Sequence, residues 1–533
     1  MAGLERLFGS NPEQFKPLSI PAPVGGLNAY DSLVAMAETD AFIMQNWWPQ
    51  PYGCTMRKGY VEWTTGLPST VKTIAGWYDL AGNQKMFAWS VDGMYDISSR
   101  GVAAAAIVSG LTNALWQSVV LTNAIGNSLI AVNGADNGII YNSGGVARIT
   151  PGDGIVVNTW AGLSPLNAVQ LTVHQKRLWA VEVNSSRGWY LPPDAIQGTF
   201  VSFDFGPQFK KGGYLQYLTT WTLDDGNGAE DHLIAMSSRG EAVVYGGTNP
   251  SSSTDWVLVG VYDVGSPVAG RRSFAKAGGD QLVLTQKGLV SMTGELVSTK
   301  VQDAEKPLTS LKIQFLLSEL VNAYTTLNGW HVVYHPTINM VLIGIPSVTA
   351  GGNIQLAANQ ITKSWTEFTN MDSACWASHN DQLYFGDYTG RVYQAWTGFS
   401  DAVLLDNTGG EGVTATVQQA YTYFGSRGNT KQVGMFRPTF VTGGQIAYNA
   451  AIVYNFADKD VASPGAVPLP GGSLWGTGLW GSAFWSGGST VLQTWLQAEG
   501  MGVAASLKMI TQSEAEVLWV ATDYSLVQAR GIL

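Results

Sequence analysis

One run of the sequence contains several oxygen-bearing side chains close together, as a calcium ion requires. It is Asp224-Asp225-Gly226-Asn227-Gly228-Ala229-Glu230-Asp231. Calcium loops of the EF-hand type place their carboxylate and amide side chains in the order D-x-[DN]-x-[DN]-G, so that alternate residues reach the ion. The spacing in this run departs from that order. The sequence therefore predicts a solvated turn, and whether the run binds a cation stays open.

The histidines offer a second candidate for metal chemistry, because two of the five stand four residues apart. On a helix, His331 and His335 would share one face and could bind a zinc ion together. Gly329 precedes them and Pro336 follows them directly, and both residues disfavour a helix. The sequence thus predicts ordinary histidines of the fold, with no metal and no cofactor.

Motifs for nucleotide hydrolysis and for nucleophilic catalysis are missing from the sequence. There is no GxxxxGK[ST] phosphate loop, no GxSxG elbow and no HExxH zinc motif. The S-x-D-x-G-x-T-W turns of sialidases are missing as well, and spacing alone cannot reveal the carboxylate pair of a propeller glycosidase. These absences lead us to expect a protein that is not an enzyme.

The composition favours short strands over long helices. Charged residues make up 13% of the 533 residues, about half the usual share, and 63 residues are glycines. Low charge also suits a subunit whose surface is buried against neighbours. The formal net charge is −10, and the nearest approach to a basic stretch is Lys210-Lys211 and Arg271-Arg272. A clamp on nucleic acid is therefore disfavoured, since it needs clustered cations.

A recurring unit occupies most of residues 66–400, which we predict to form one domain. Each unit is an apolar strand, a turn with Gly or Asp, and a second apolar strand. A period of about 40–50 residues with several strands per unit is typical of propeller blades. We therefore predict a mainly β chain with an irregular β-propeller of six or seven blades, and a helix within residues 310–327. The central apolar residues of the seven units stand 42 to 59 residues apart: Phe87, Ile130, Trp179, Ile234, Val283, Leu342 and Tyr384.

The two ends of the chain differ from the repeat. Residues 1–65 are predicted to form an extended N-terminal arm and docking segment, since four prolines fall within residues 9–25. Trp47-Trp48-Pro49 lies in this segment, and two interpretations stay open. The indoles fold onto the chain's own core, or they anchor the arm on a neighbouring subunit. Residues 401–533 are predicted to form a C-terminal β-rich platform domain, with Trp475, Trp480 and Trp485 on a glycine-rich loop.

Two segments carry a resemblance to a known family. The first, which we call the motif segment, contains Gly25-Gly26-Leu27-Asn28, Asp31-Ser32-Leu33, Glu38-Thr39-Asp40-Ala41, Asn46-Trp47-Trp48-Pro49 and Arg57-Lys58-Gly59-Tyr60. The second is the Trp-Gly series at residues 475–487. With a propeller between the two segments, the order resembles the tail nozzle proteins of short-tailed bacteriophages, which are also called tail tubular or tail hub proteins.

The resemblance implies a structural virion protein of the tail that is assembled in the host cytoplasm. Such proteins form a homo-oligomeric ring, usually a hexamer, below the head-to-tail adaptor ring. The ring carries tail fibres or spikes, and a tail needle or plug closes it. Double-stranded DNA passes through its lumen without sequence-specific binding, and an acidic lumen would repel the phosphates. The implied partner-contact candidates are Trp47, Trp48, Pro49, Trp475, Trp480 and Trp485.

Two other functions stay open on the sequence alone. One is a propeller that binds a receptor or a glycan in the tail, with or without hydrolase activity. The other is a cellular propeller scaffold for protein partners.

The sequence also bears on compartment and membrane insertion. Two distant cysteines, Cys54 and Cys375, predict no disulfide framework. The N-terminus lacks the apolar stretch of a signal peptide. The longest apolar run, from Val102 to Val108, is far shorter than the ~20 residues of a membrane span, so we expect no such span.

Overall fold

The chain folds into two units, each built from stretches that are distant in sequence. The computed structural model describes residues 16–224, 229–297, 310–348, 352–465 and 490–528. The propeller unit comprises Glu62–Leu356 and Asn370–Ala395. The two-sheet unit comprises Met1–Val61, Ala357–Thr369 and Trp396–Leu533.

Five blades of the propeller unit have at least four strands each within the described residues. We name them A to E and give their strands from the innermost outwards. Blade A contains Cys375–His379, Gln382–Gly386, Val392–Ala395, Tyr60–Thr65 and Gly101–Val102. Blade B contains Val71–Tyr78, Gln84–Ser90, Gly93–Asp96 and Val108–Ser109. Blade C contains Gln117–Asn123, Gly126–Val132, Gly138–Asn142, Gly145–Pro151, Thr159–Ala161 and Gly198–Thr199. Blade D contains Ala168–His174, Arg177–Glu182, Arg187–Tyr190 and Val201–Asp204. Blade E contains Leu215–Asp224, Ala229–Ser237, Glu241–Gly246 and Val257–Asp263.

Two smaller blades complete the ring. Blade F contains Phe274–Ala277, Asp280–Thr285 and Gly288–Ser291. Blade G contains the hairpin His331–His335 and Met340–Ile345, with Ile354–Asn359 beside it. The predicted mainly β propeller is thus confirmed, with about five full blades where six or seven were predicted. The helices of this unit are Met292–Val297 and Gln314–Tyr324, with 3₁₀ turns at Pro165–Asn167, Gly206–Gln208, Leu311–Ile313 and Pro336–Ile338.

The second strand of each full blade contains a central run of three or four apolar residues, because both faces of the strand are buried there. In blade C, Leu129 and Ala131 pack into the core shared with blade B, whereas Ile130 and Val132 pack into the core shared with blade D. Side chains alternate between the two faces of a strand, so where a strand lies between two neighbouring blades it needs apolar residues at successive positions. The repeat in the sequence is therefore the signature of these doubly covered strands.

The ring closes with strands from both ends of its sequence. In blade A, Tyr60–Thr65 joins the sheet formed by three strands from residues 375–395. Arg391 binds Glu62 across this closure at 3.0 Å, and Glu62 is buried. The innermost strand of blade A then lies against Val71–Tyr78 of blade B. Closure by both ends combines the start and the end of the propeller sequence in one sheet, which holds the ring together.

The two-sheet unit packs two sheets face to face. The side chains of Ile20, Ile452, Leu507 and Tyr524 meet between them around a small cavity. One sheet contains Trp47–Gln50, Gly53–Met56, Val517–Gln528, Lys431–Thr442 and Thr490–Gln493, with Lys16–Pro21 and Leu496–Gln497 paired onto it. The other contains Asp40–Gln45, Gly26–Leu27, Ser364–Phe368, Glu411–Gln419, Ser400–Asp401, Ala505–Ser513 and Ile446–Tyr454.

The division of the chain differs from the predicted arm at 1–65, propeller at 66–400 and platform at 401–533. Lys16–Pro21 pairs with Val517–Gln528, and Asp40–Gln45 pairs with Glu411–Gln419. The N-terminal segment and the C-terminal strands therefore belong to one unit. The physical reason is that backbone groups at a sheet edge need hydrogen-bond partners, and the N-terminal strands supply them.

Three histidines, His174, His331 and His335, are buried in the innermost strands of the propeller, and two of them have strongly lowered pKa values. His174 is 1% exposed and His331 is 4% exposed. The Nδ1–H group of His331 donates a hydrogen bond of 2.8 Å to the carbonyl oxygen of Gly329. Burial lowers the pKa of the His174 and His331 imidazoles to about 4, so both are neutral near pH 7. The expectation that the histidines serve the fold agrees with these positions.

We expect His174 and His331 to make the propeller unit less stable in mild acid. Their pKa rises from about 4 when folded to the ordinary 6.5 when unfolded. The stabilisation is complete above pH 6.5 and is lost as the pH falls towards 4, by up to about 1.4 kcal/mol per pH unit for each histidine. Urea unfolding at pH 7, 6, 5 and 4 should show a shallower decline in the variant His331→Asn, which keeps an amide donor near Gly329. Equal slopes in the variant and the natural chain would contradict this assignment.

Candidate functional site

The predicted contact residues Trp47, Trp48 and Pro49 lie in the core of the two-sheet unit. Trp47 packs against Trp519 with ring centroids 5.6 Å apart. Trp48 packs against Phe368 and Trp396 at 6.1 and 5.6 Å. Neither indole is more than 1% exposed, so they present no surface to a neighbouring subunit in this fold. The interpretation in which the indoles fold onto the chain's own core is the one that the structure adopts.

The other predicted contact residues, Trp475, Trp480 and Trp485, lie outside the described residues. So do residues 225–228 of the acidic run. Within the part of that run that is described, Asp231 accepts a hydrogen bond of 2.6 Å from the hydroxyl of Thr222. Across the described residues, no group of three or more His, Cys, Asp or Glu side chains could hold a metal ion. Nor do those residues include a helix long and apolar enough to cross a membrane.

Every guanidinium nitrogen of Arg57, near the end of the motif segment, donates at least one hydrogen bond. Its guanidinium is fully buried and donates two hydrogen bonds to the carboxylate of Asp401, at 2.7 and 2.6 Å. Its Nε donates to Asn46 at 2.8 Å, and its terminal nitrogens also reach the carbonyl oxygens of Lys58 and Thr369. A bidentate pair in a buried site fixes both partners in one geometry.

Asn46 extends this network to the neighbouring strands. Its amide nitrogen donates to the hydroxyl of Thr369 and to the carbonyl oxygen of Thr414, both at 2.7 Å. Its backbone has a φ of 60°, a left-handed conformation that asparagine tolerates better than most residues. Arg57 and Asn46 therefore join the N-terminal segment to residues 369 and 414 through side-chain hydrogen bonds.

The glycines of the motif segment are required by close backbone contacts. A β-carbon on Gly59 would lie 1.9 Å from the carbonyl oxygen of Ser400. Gly26 has a φ of +81°, and a β-carbon there would lie 2.6 Å from the carbonyl oxygen of Trp365. Asn28 then holds the turn by donating to Asp40 at 2.7 Å and to Asp31 at 2.9 Å. The quoted motif thus specifies how the two-sheet unit is built.

A polar cavity of about 210 Å³ lies on the axis of the propeller unit, where its innermost strands begin. Lys72 and Gln117 come from the starts of the inner strands of blades B and C. Arg271 and Arg272 directly precede the inner strand of blade F, and Trp330 precedes that of blade G. Three cations line the cavity, and no carboxylate is among its lining residues.

The two arginines are held differently at this cavity. Arg272 donates to the carbonyl oxygens of Lys72 and Trp116 and to the hydroxyl of Thr73, at 2.5 to 2.8 Å. Arg271 has a buried Nε without a hydrogen-bond partner among the described residues. Burial lowers the pKa of both guanidinium groups, because water no longer solvates their charge. Chemically, the arrangement offers cationic donors to an oxyanion.

The sequence showed this site only as one of two basic pairs. In the other pair, Lys210-Lys211, the charge of Lys211 is paired with a carboxylate. The backbone nitrogens of Lys210 and Lys211 donate to Glu241, and the amine of Lys211 lies 2.6 Å from Asp263. Nothing in the local sequence distinguishes the pairs, because the acids that neutralise Lys211 are brought in by the fold. The adjacency of two arginines was the only signal available.

Comparison with known proteins adds little beyond the fold. No protein-family model matches the chain, and no curated protein matches it. Among solved structures, it is similar to the β-propeller domain of Cps50 (Swd1) from Myceliophteria thermophila, at 14% identity with a TM-score of 0.38. That match covers 62% of this chain and 98% of the other. It is also similar to the computationally designed protein Ika8, at 10% identity with a TM-score of 0.36, covering 63% of this chain and 99% of the other.

Replacing Arg57 should destabilise the two-sheet unit strongly. The variant Arg57→Met removes the guanidinium and leaves the buried carboxylate of Asp401 without its counterion. We expect the free energy of unfolding to fall by about 3–5 kcal/mol. The double variant Arg57→Met with Asp401→Leu should regain part of this loss, since it leaves no buried charge unpaired. Urea unfolding followed by tryptophan fluorescence measures both.

A matched control for this prediction is the pair between Arg437 and Asp523, which join at 2.7 Å in the same unit with each side chain about a quarter exposed. Water screens that pair, so Arg437→Met should cost only about 1 kcal/mol. Equal losses in Arg57→Met and Arg437→Met would contradict the special role of the buried pair.

Proposed function

We propose that the chain is a non-enzymatic structural subunit of the tail nozzle of a short-tailed bacteriophage. In this proposal it forms a homo-oligomeric ring in the virion tail, of about the hexameric size that the family resemblance implies. The ring contacts the head-to-tail adaptor, tail fibres or spikes, and a needle or plug. Its lumen provides the passage for double-stranded DNA.

The observation that carries the proposal is the structural use of the motif segment. Gly26, Asn28, Arg57 and Gly59 each make a contact that the two-sheet unit needs. A motif of this kind marks how a protein is built, whereas a catalytic motif would gather reactive groups in a cleft. Its resemblance to nozzle proteins is therefore a resemblance in architecture, which supports a structural role.

Assembly into a ring is supported by an exposed apolar loop on blade C. Ile155, Val156 and Val157 are consecutive and are 82%, 61% and 72% exposed. They follow Asp153, whose carboxylate accepts hydrogen bonds from the backbone nitrogens of Ile155 and Val156 and so fixes the turn. Three ordered aliphatic side chains facing water are unfavourable for a free monomer and suit a surface that a neighbouring subunit covers.

The proposed ring should depend on this loop. We expect the natural chain to run as an oligomer of about six copies by mass photometry and to form rings in electron micrographs. The double variant Ile155→Asp with Val157→Asp places charges in the interface, so it should remain folded and shift to smaller species. Circular dichroism and the urea midpoint verify its folding.

The matched control is Ile125→Asp, which changes an isolated aliphatic side chain that is 86% exposed on the same blade. It should assemble as the natural chain does. A natural chain that stays monomeric at micromolar concentration would overturn the proposed ring. If Ile125→Asp lost rings to the same degree as the double variant, the loop would have no specific role in assembly.

A further inference from the structure

The axial cavity of the propeller unit combines a positive charge with unused hydrogen-bond donors. Lys72, Arg271 and Arg272 line it, and among the described residues none of the three forms an ion pair with a carboxylate. The chain as a whole has a formal net charge of −10, so the positive charge at this cavity is opposite in sign to the net charge of the chain. Buried charges in proteins are normally paired, because removing them from water is costly. An anion bound in the cavity would pair with this positive charge.

We propose that this cavity binds a compact phosphate-type oxyanion, either inorganic phosphate or the phosphoryl group of a small molecule. The inference goes beyond the proposed assembly role and does not depend on it. Phosphate oxygens accept several hydrogen bonds at once, and guanidinium groups supply them in a planar fork. The neighbouring amides of Gln117 and Asn328 add neutral donors at the same cavity.

The two arginines have different roles in binding the anion. Arg272 is tied to the backbone carbonyl oxygens of Lys72 and Trp116, so it holds a fixed positive charge beside the cavity. Arg271 keeps its Nε unpaired, and the exposed Lys72 keeps a mobile amine. We therefore assign Arg271 and Lys72 as the groups that contact the anion, and Arg272 as the positioning residue.

The size of the cavity limits the ligand. A volume of about 210 Å³ corresponds to roughly seven water molecules at ~30 Å³ each, enough for a phosphate group with some of its hydration. A nucleic-acid duplex is far too wide to enter. The cavity also lies within one propeller, where its cations come from the starts of separate blades. This geometry selects a single anionic group over an extended polyanion.

Isothermal titration calorimetry of the full chain tests the proposal, with inorganic phosphate and a deoxynucleoside 5′-monophosphate titrated separately at constant ionic strength. We expect saturable binding of at least one of them at a single site per chain. Tighter binding of the nucleotide would identify a small phosphorylated molecule as the source, and equal binding would identify free phosphate. The variants Arg271→Gln and Lys72→Gln should each weaken binding by about tenfold or more.

The matched control is Arg187→Gln, which removes one positive charge from an exposed position on the third strand of blade D. It should leave the dissociation constant within about twofold. Lys72 is exposed, so Lys72→Gln keeps the test valid even if Arg271→Gln fails to fold. Absence of binding to the natural chain, unchanged binding in Lys72→Gln, or an equal loss in Arg187→Gln would each overturn the proposal.

Discussion

The buried ion pair between Arg57 and Asp401 is the constraint on which the two-sheet unit depends. The partners are 344 residues apart in sequence, yet they meet through two hydrogen bonds of 2.7 and 2.6 Å. A guanidinium without access to water is tolerated only when its charge and its donors are all satisfied. The stable form of the unit therefore requires that Arg57 and Asp401 lie together.

This constraint changes the meaning of the N-terminal motif. From the sequence, Trp47 and Trp48 could fold onto the chain's own core or anchor an arm on a neighbour, and in the structure they pack on Trp519 and Trp396 of the same chain. Gly59 lets the backbone pass close to Ser400, and this contact brings Asp401 within reach of Arg57. Together, the motif residues join the N-terminal segment to parts of the two-sheet unit that are distant in sequence.

The propeller could be predicted from the sequence, but the pairing of the N-terminal strands with the C-terminal strands could not. Strands such as Gly126–Val132 and Arg177–Glu182 could be predicted because each is apolar on both faces and lies next to its hairpin partner in sequence. The pairing of Lys16–Pro21 with Val517–Gln528 could not be predicted, since alternation defines a strand without naming its partner. The axial site was hidden for a similar reason. Arg271 and Lys72 are distant in sequence, and only the ring geometry gathers them.

Native-state hydrogen exchange, read by mass spectrometry, tests most directly whether the N-terminal segment is an integral part of the two-sheet unit. The backbone amides of Asp40–Gln45 and Gly53–Met56 should open with the same free energy as those of Lys431–Thr442 and Val517–Gln528, because they form one cooperative structure. Exchange of residues 40–56 that is orders of magnitude faster than exchange of the C-terminal strands would contradict this. It would show instead an arm that is only loosely attached.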